Sequence, residues 1–405
     1  MKIKTILQIN THISTDTSTG KQVVGLHRFY QRFCNSFVAY SAKETAGDQC
    51  FLRFGNSVDR FLSALLTRFF GNRYGHAFFS TGKLIRIIKK IKPTVVHIHC
   101  INAFDVNIYR LLNYLKRHHT KTIITEHAEF FHTGNCSHAF ECGGYIDGCK
   151  HCPRRFFATR SLLFSSTSLS WRRMRNCFRS FDECRIVAVS PWLARRSNQS
   201  GIMEGATIVP ILNGVDTCVF SFQRTSFLPK RIAFVSSDTK SSNKGFEYLI
   251  KIAERLSNYS FVVAGDYSES VVRSVGVPGN VSFFGRITSE EKLAEFYRQS
   301  LATLILSRVE TFSMVLAESM SCGTPVVGFR CGGPESICVD GYAFWAEYGD
   351  VDTIVERLES SSLRSLDREA LSKQAQDKYS FEKAGSEYFR LVDGDDDSLA
   401  KEEKW

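Results

Sequence analysis

Short runs of β-branched and aliphatic residues alternate along the chain with longer stretches whose apolar positions recur every three or four residues. "KTILQIN" (4–10), "TVVHIHC" (94–100), "KTIITEH" (121–127) and "CRIVAVS" (184–190) have the composition of buried strands, and "GKLIRIIKKI" (82–91) and "VNIYRLLNYLKRHH" (106–119) between them carry the helical period. The rhythm restarts with "RIAFVSS" (231–237), "FVVAGD" (261–266), "VSFFGR" (281–286), "LATLILS" (301–307) and "TPVVGF" (324–329). Alternation of this kind predicts the α/β class, with parallel sheets covered by helices, and the restart predicts two doubly wound domains. The boundary is expected near residues 205–228, around "VPILNGVDTCVF", giving domains of 1–205 and 206–380. The tail "DGDDDSLAKEEKW" (393–405) is charged enough to be expected disordered, and its acidic run reads as solvated chain rather than a metal site.

Composition narrows the class without naming a function. The 405 residues are 43% hydrophobic and 23% charged, ordinary values for two globular domains. No stretch of eighteen apolar residues is present, and "MKIKTILQIN" is too short and strand-like for a secretory leader, so a cytoplasmic protein is expected, with room for peripheral contact with a membrane's inner face. Thirteen cysteines in such a chain point to reduced thiols or metal ligation rather than a disulfide framework. Charge is divided unevenly: residues 1–199 hold 30 Lys+Arg against 11 Asp+Glu, whereas residues 200–405 hold 22 against 30. The basic half suits nucleic acid, anionic lipid, a phosphorylated substrate, or merely a solvated surface. Within it, residues 58–92 interleave aromatics and aliphatics with Arg60, Arg68, Arg73, Lys83, Arg86, Lys89 and Lys90. That stretch reads either as a surface for an anionic bilayer or as an amphipathic pair of core helices.

In open α/β sheets ligands sit beyond the C-terminal ends of the strands. After "LATLILS" come Arg308, Val309, Glu310, Thr311, Phe312, Ser313 and Met314, then a helix through "VLAESMS" that stops at Cys322-Gly323-Thr324-Pro325. Amides near Ser313 and Met314 at a helix start form a cradle for phosphate. Glu310 and Glu318 flank that cradle and would repel an anion, so sugar hydroxyls are the partners that suit them. The plainer alternative gives Glu310 to the helix dipole and Glu318 to solvent.

The stretch "ETFSMVLAESMSCGTPVVG" followed by "CGGPESI" resembles the Glu-x7-Glu region of the family 4 glycosyltransferases, retaining enzymes of the GT-B fold. The likeness extends in the family's order through "INTHISTDTSTGKQV", "PTVVHIHCIN", "TIITEH", "VAVSPWLA", "LNGVDTCVF", "NKGFEYLIKIAE", "FVVAGD", "VSFFGRIT" and "EYFRLV", most of residues 1–392. It implies two Rossmann-like domains facing across a cleft, with the C-terminal helix at about 380–392 packing back onto the first. Glu310 would bind donor-sugar hydroxyls beside the anomeric carbon, Glu318 the ribose, and Ser313 and Met314 the diphosphate through their amides. Lys244 of "NKGF" would neutralise the leaving diphosphate, with Lys240, Arg286, Thr311 and Phe312 completing the donor side. Gly20 would permit close approach of the donor's phosphates, His127 would contact the donor sugar, and His99 and Asn102 would line the acceptor side. The family places an arginine where this chain has Asp238. Lys240 is the candidate substitute, as a point charge rather than a bidentate fork.

The resemblance implies transfer from a UDP- or GDP-sugar to a glycan or polyprenyl-linked hydroxyl, in cell-surface polysaccharide synthesis, with no divalent cation required because no Asp-x-Asp motif precedes these elements. Cys136, Cys142, Cys149 and Cys152 lie within seventeen residues, with His138 and His151 between them. They read as a structural zinc site, as reduced cysteines in a packed loop or as a redox group, only the final Cys-x2-Cys having standard ligand spacing. Two other functions stay open from the residues alone: a nucleotide-sugar epimerase of the same fold, and a basic zinc-containing nucleic-acid-binding protein.

Overall fold

A computed structural model describes residues 4–14, 17–42, 44, 47–154, 156, 161, 162, 164, 166–224, 227–237, 241–267 and 276–393. Lys240, Asp238 and the tail from 394 onward lie outside the described residues. The chain divides into two compact units, one formed by residues up to Ile211 together with those from Ala384, the other by Leu212–Lys383.

The first unit is built on a seven-stranded sheet of β1 (Thr5–Asn10), β2 (Asn35–Tyr40), β3 (Phe51–Arg53), β4 (Val95–Ile98), β5 (Thr122–Glu126), β6 (Cys184–Ala188) and β7 (Thr207–Pro210), in the order β3-β2-β1-β4-β5-β6-β7. Every pairing is parallel, with Leu7 opposite Phe37 on one side and Val96 on the other. The inner strands are buried on both faces, which is why "VVHI" and "TIITE" read as unbroken β-rich runs. β2, β3 and β7 carried no such signal. β3 has only three residues and β7 ends in Pro210, as suits the two edges of the sheet.

The second unit repeats the plan with six parallel strands: β8 (Arg231–Val235), β9 (Ser260–Ala264), β10 (Val281–Gly285), β11 (Ala302–Ile305), β12 (Val326–Phe329) and β13 (Ala343–Ala346), ordered β10-β9-β8-β11-β12-β13. β13, "AFWA", was not expected and closes an edge where three of its four residues are only half-buried. In both sheets the order reverses beside the first strand of the unit, between β1 and β4 and between β8 and β11. Loops leaving adjacent strands at such a reversal diverge to opposite faces and open a crevice, so side chains after these four strands are the ones the topology offers to a ligand.

The helix Phe381–Asp393 starts in the second unit and ends in the first. Its Tyr388, Leu391 and Val392 join Ile6, Tyr30, Ile123 and Val187 in one buried cluster of the first unit. Gly385 lies against Phe29, where an added Cβ would sit 2.4 Å from the ring. The Tyr388 hydroxyl is 2.9 Å from Thr125 Oγ1, and Lys121 Nζ donates to the Val392 carbonyl at 3.1 Å.

Candidate active site

In the second unit the loop after β11 carries the candidate carboxylate. Glu310 is fixed through its backbone: its amide donates to the Cys331 carbonyl at 2.9 Å, and its carbonyl accepts from the Gly333 amide at 2.8 Å. Its Oε1 accepts from the Ser307 hydroxyl at 2.8 Å and from Lys244 Nζ. Lys244 reaches it because the loop after β8 is clamped to the same segment. The Arg308 amide donates to the Asn243 carbonyl at 2.8 Å, and Asn243 Nδ2 donates to the Val309 carbonyl at 3.0 Å. Gly245 follows at φ +70°, where a Cβ would lie 2.2 Å from the Leu306 carbonyl oxygen, so glycine is required there on two counts. The Lys244 and Glu310 side chains keep 28% and 17% exposure, enough for both to be reached from solvent.

The helix Met314–Ser321 begins at Ser313, whose φ of +82° is rare for a residue with a side chain, and whose Oγ accepts from the Leu316 amide at 3.3 Å. Strained residues of this kind cost about 1–3 kcal/mol and gather at ligand sites. Gly333 packs against the same loop, a Cβ there lying 2.3 Å from the Thr311 carbonyl oxygen. Thr311 and Phe312 are buried, and the Phe312 ring stands edge-on to Tyr379. Glu318 is not solvent-facing: it is 5% exposed, and its Oε2 accepts from the Tyr297 hydroxyl at 3.1 Å. Burial, and then the neighbouring carboxylate, push the Tyr297 phenol well above its ordinary range, so it stays a donor at any physiological pH. Arg286 follows β10 half-exposed and pairs with Asp266 at 3.5 Å. Lys240 falls outside the described residues.

In the first unit, residues at the ends of β4 and β5 meet residues of β1. Gln8 Nε2 donates to the Val23 carbonyl at 3.2 Å, which turns its Oε1 toward His99 Nε2 at 3.0 Å. His99 Nδ1 is in turn 3.1 Å from His127 Nε2. Burial lowers His127 to about 4 and His99 well below its ordinary value, so both rings are neutral at pH 7. The hydrogen-bond chain then assigns the tautomers. His99 donates from Nε2 to Gln8, its Nδ1 accepts from His127 Nε2–H, and His127 keeps the lone pair on Nδ1. His97 completes the set, its ring 4.0 Å from that of His99 and its Nε2 2.8 Å from Thr125 Oγ1, with burial taking it down to about 3. Gly20 sits in the first turn of the helix Ser18–Gln31, where its amide donates to the capping Thr17 Oγ1 at 3.2 Å and a Cβ would lie 2.1 Å from the Ser14 carbonyl oxygen. Asn102 Nδ2 donates to Ser137 Oγ at 3.2 Å. The structure therefore gathers Lys244 with Glu310 and His99 with His127. Asn243, Tyr297 and Gln8, which hold those groups, had no signal in the sequence, because they act through hydrogen bonds to residues distant in the chain, and Ser307, three residues before Glu310, stood out by no pattern of its own.

Cys136, Cys142, Cys149 and Cys152 line a common cavity of about 20 Å³ with Tyr145 and His151. Burial first, and then the other thiols, push Cys136 and Cys149 up to about 12, so they remain protonated. Among the described residues, the group whose ligand atoms all lie within 4.8 Å of one another is a different one, His27, Asp48 and Cys50, and the four cysteines are not drawn to that spacing. The zinc reading of the cysteine cluster thus gains no support from the geometry. In the His27 group, Nε2 is 3.2 Å from Asp48 Oδ2 and Nδ1 is 2.7 Å from Ser36 Oγ, an arrangement complete without an ion.

Two family models adjoin along the chain: Glycosyltransferase Family 4 matches residues 38–218 and Glycosyl transferases group 1 matches residues 220–378. A probable sucrose-phosphate synthase of Thermosipho melanesiensis is 28% identical over 174 residues, 40% of this chain and 38% of that protein. The putative colanic acid biosynthesis glycosyl transferase WcaC of Escherichia coli K12 is 24% identical over 260 residues, 60% of this chain and 61% of that one. The matched stretches thus span less than two thirds of these relatives' own lengths. Among solved structures, sucrose-phosphate synthase from Thermosynechococcus elongatus superposes with a TM-score of 0.71 at 12% identity, covering 98% of this chain and all of that one. Anabaena HepE in complex with UDP gives 0.64 at 14%, covering 97% and 100%. At such identities the likeness shows the α/β fold of the GT-B type.

Proposed function

The chain belongs to the family 4, group 1 glycosyltransferases, and on that premise we propose that it is a retaining transferase moving a sugar from a nucleotide-sugar to a hydroxyl of a glycan or lipid-linked acceptor. The observation that carries this reading is the Glu310 carboxylate, held at the foot of the helix Met314–Ser321 by Ser307 and Lys244. Both hydrogen bonds fall on Oε1, and Oε2 is the oxygen we assign to the donor sugar's hydroxyls. Lys244 then has two partners in turn, Glu310 before the donor arrives and the diphosphate afterwards. A cation placed there stabilises the charge that grows on the departing phosphate, together with the amides of Ser313 and Met314. Glu318, positioned by Tyr297, is assigned to the ribose, and Thr311, Phe312 and Arg286 to the donor's surroundings.

In the first unit we assign neutral His127 to a sugar hydroxyl, and Gly20, His99 and Asn102 to the phosphates and acceptor side. In the reaction the bond between anomeric carbon and phosphate oxygen breaks, and the bond to the acceptor oxygen forms on the same face. The acceptor's proton passes to the departing phosphate oxygen. UDP as the donor's nucleotide is supported by the complex of HepE with UDP, and a cell-surface polysaccharide product by the name of WcaC.

The test is nucleoside diphosphate release from a panel of UDP- and GDP-sugars, with nucleotide affinity measured in parallel. Glu310→Ala is expected to abolish release while leaving nucleotide affinity within about threefold, and Glu318→Ala to weaken nucleotide by at least about tenfold. Equal loss of nucleotide in both variants would overturn this division of roles, and interconversion of the donors without release would instead support an epimerase.

A further inference from the structure

The helix Ser57–Phe70 is packed inside out. It buries its polar residues Asp59, Ser63 and Thr67, each 3% exposed or less, and turns most of its apolar residues to solvent, Ala64 and Leu66 being half-buried. Val58, Phe61, Leu62, Leu65 and Phe69 follow one another at spacings of three, one, three and four, so they form a single stripe, and all are between 42% and 68% exposed. The inversion is built in rather than slack. Asp59 Oδ2 accepts from the Ser80 amide at 2.7 Å at the head of the next helix, Phe78–Ile91, and the Asn56 side chain caps the Val58 and Asp59 amides. That second helix brings Phe78 and Phe79, 59% and 67% exposed, at its own first turn. An apolar stripe of this extent left in water marks a surface with a partner.

Charge identifies the partner. Residues 57–92 hold eight Lys and Arg against one acid, and that acid, Asp59, is buried. Arg68, Lys83, Arg86, Lys89, Lys90 and Lys92 are all exposed. A second copy of the same face would bring these like charges together, which disfavours a two-fold contact. An anionic bilayer satisfies both features at once, apolar side chains entering the boundary between headgroups and acyl chains while the cations meet lipid phosphates. No helix of the described residues is long and apolar enough to cross a membrane, so the helix would lie in the plane of the surface.

We propose that the exposed apolar face of Ser57–Phe70, with Phe78 and Phe79, is a membrane-docking surface that seats the first unit on an anionic lipid bilayer. It does not depend on the transferase reading, since what is measured is binding. The experiment is co-sedimentation of the full chain with vesicles of phosphatidylglycerol and phosphatidylcholine, against vesicles of phosphatidylcholine alone. The chain should pellet with the anionic vesicles at low salt and be released at high salt. Phe61→Asp with Phe69→Asp should weaken binding by more than about tenfold at an unchanged melting temperature, because both side chains are exposed. Lys89→Gln with Lys90→Gln should flatten the salt dependence. Failure to pellet with anionic vesicles at low salt, equal binding by the aspartate variant, or a stable solution dimer that the aspartate variant dissociates would each overturn the proposal.

Discussion

His132 gives a prediction about pH that can be worked through from its surroundings. It is wholly buried just after β5, with Nδ1 3.1 Å from Glu126 Oε1 and Nε2 3.5 Å from Glu129 Oε1. Burial alone would lower its basicity, but the two carboxylates outweigh burial and hold it up to about 9 against an ordinary 6.5. A folded value above the unfolded one means that the imidazolium's contribution to stability is complete below pH 6.5 and is lost as pH rises toward 9. The difference corresponds to about 3 kcal/mol, or roughly 6–12 °C in the melting temperature of a unit this size. The window is separable from other titrations. The neutral rings of His97, His99 and His127 act in the opposite sense, their contribution being lost as pH falls below 6.5, and the buried thiols of Cys136 and Cys149 matter only above their ordinary 9. Calorimetric melting of the wild type from pH 6.5 to 9 should show the decline. His132→Gln should be less stable at pH 6.5 and nearly flat across the window, and Glu126→Gln should move the decline to lower pH. A wild-type melting temperature constant over this range, or a decline of equal size in His132→Gln, would refute the reasoning.

Gly333→Ala places a Cβ 2.3 Å from the Thr311 carbonyl and forces the Glu310 loop to shift, so nucleotide-sugar turnover should fall at least about tenfold with a stability loss of about 1–3 kcal/mol, read from paired rate and melting measurements. Tyr297→Phe removes the donor to the buried Glu318 and should cost about 1–3 kcal/mol together with weaker nucleotide binding by titration calorimetry, whereas release of product at saturating donor should change little. Gln8→Glu keeps an acceptor for His99 Nε2–H but introduces a buried anion, so NMR titration should show His99 and His127 gaining protons at higher pH than in the wild type. Unshifted titration curves in that variant would break the hydrogen-bond chain from Val23 to His127.

The strand-helix rhythm was legible because the inner strands are buried on both faces, and such strands can be written only as apolar runs. Edge strands such as β3 and β13 escape that rule, having one face partly in water, although the edge strand β10 was read from its aromatic run and the inner strand β2, itself only partly buried, was not. Glu310 and Lys244 could be picked out as a carboxylate and a cation near strand ends, but their contact joins residues 66 apart and depends on Asn243, whose importance is invisible until the loops after β8 and β11 are adjacent. Residues 57–70 teach the opposite lesson. Their mixture of apolar and basic residues suited an amphipathic helix on a bilayer or one in a core, yet the mixture alone does not say which face points inward, and here the polar face does because Asp59 finds a backbone amide at Ser80.

The helix Phe381–Asp393 has a consequence for how the protein is made. Tyr388, Leu391 and Val392 belong to a core whose other members, such as Ile6 and Ile123, are translated hundreds of residues earlier. As the polypeptide leaves the ribosome, the first unit must wait with that apolar surface uncovered until the whole of the second has emerged. Premature termination anywhere before Ala384 would release a chain lacking this helix, and loss of the last dozen described residues should impair the maturation of the beginning of the molecule more than of its middle.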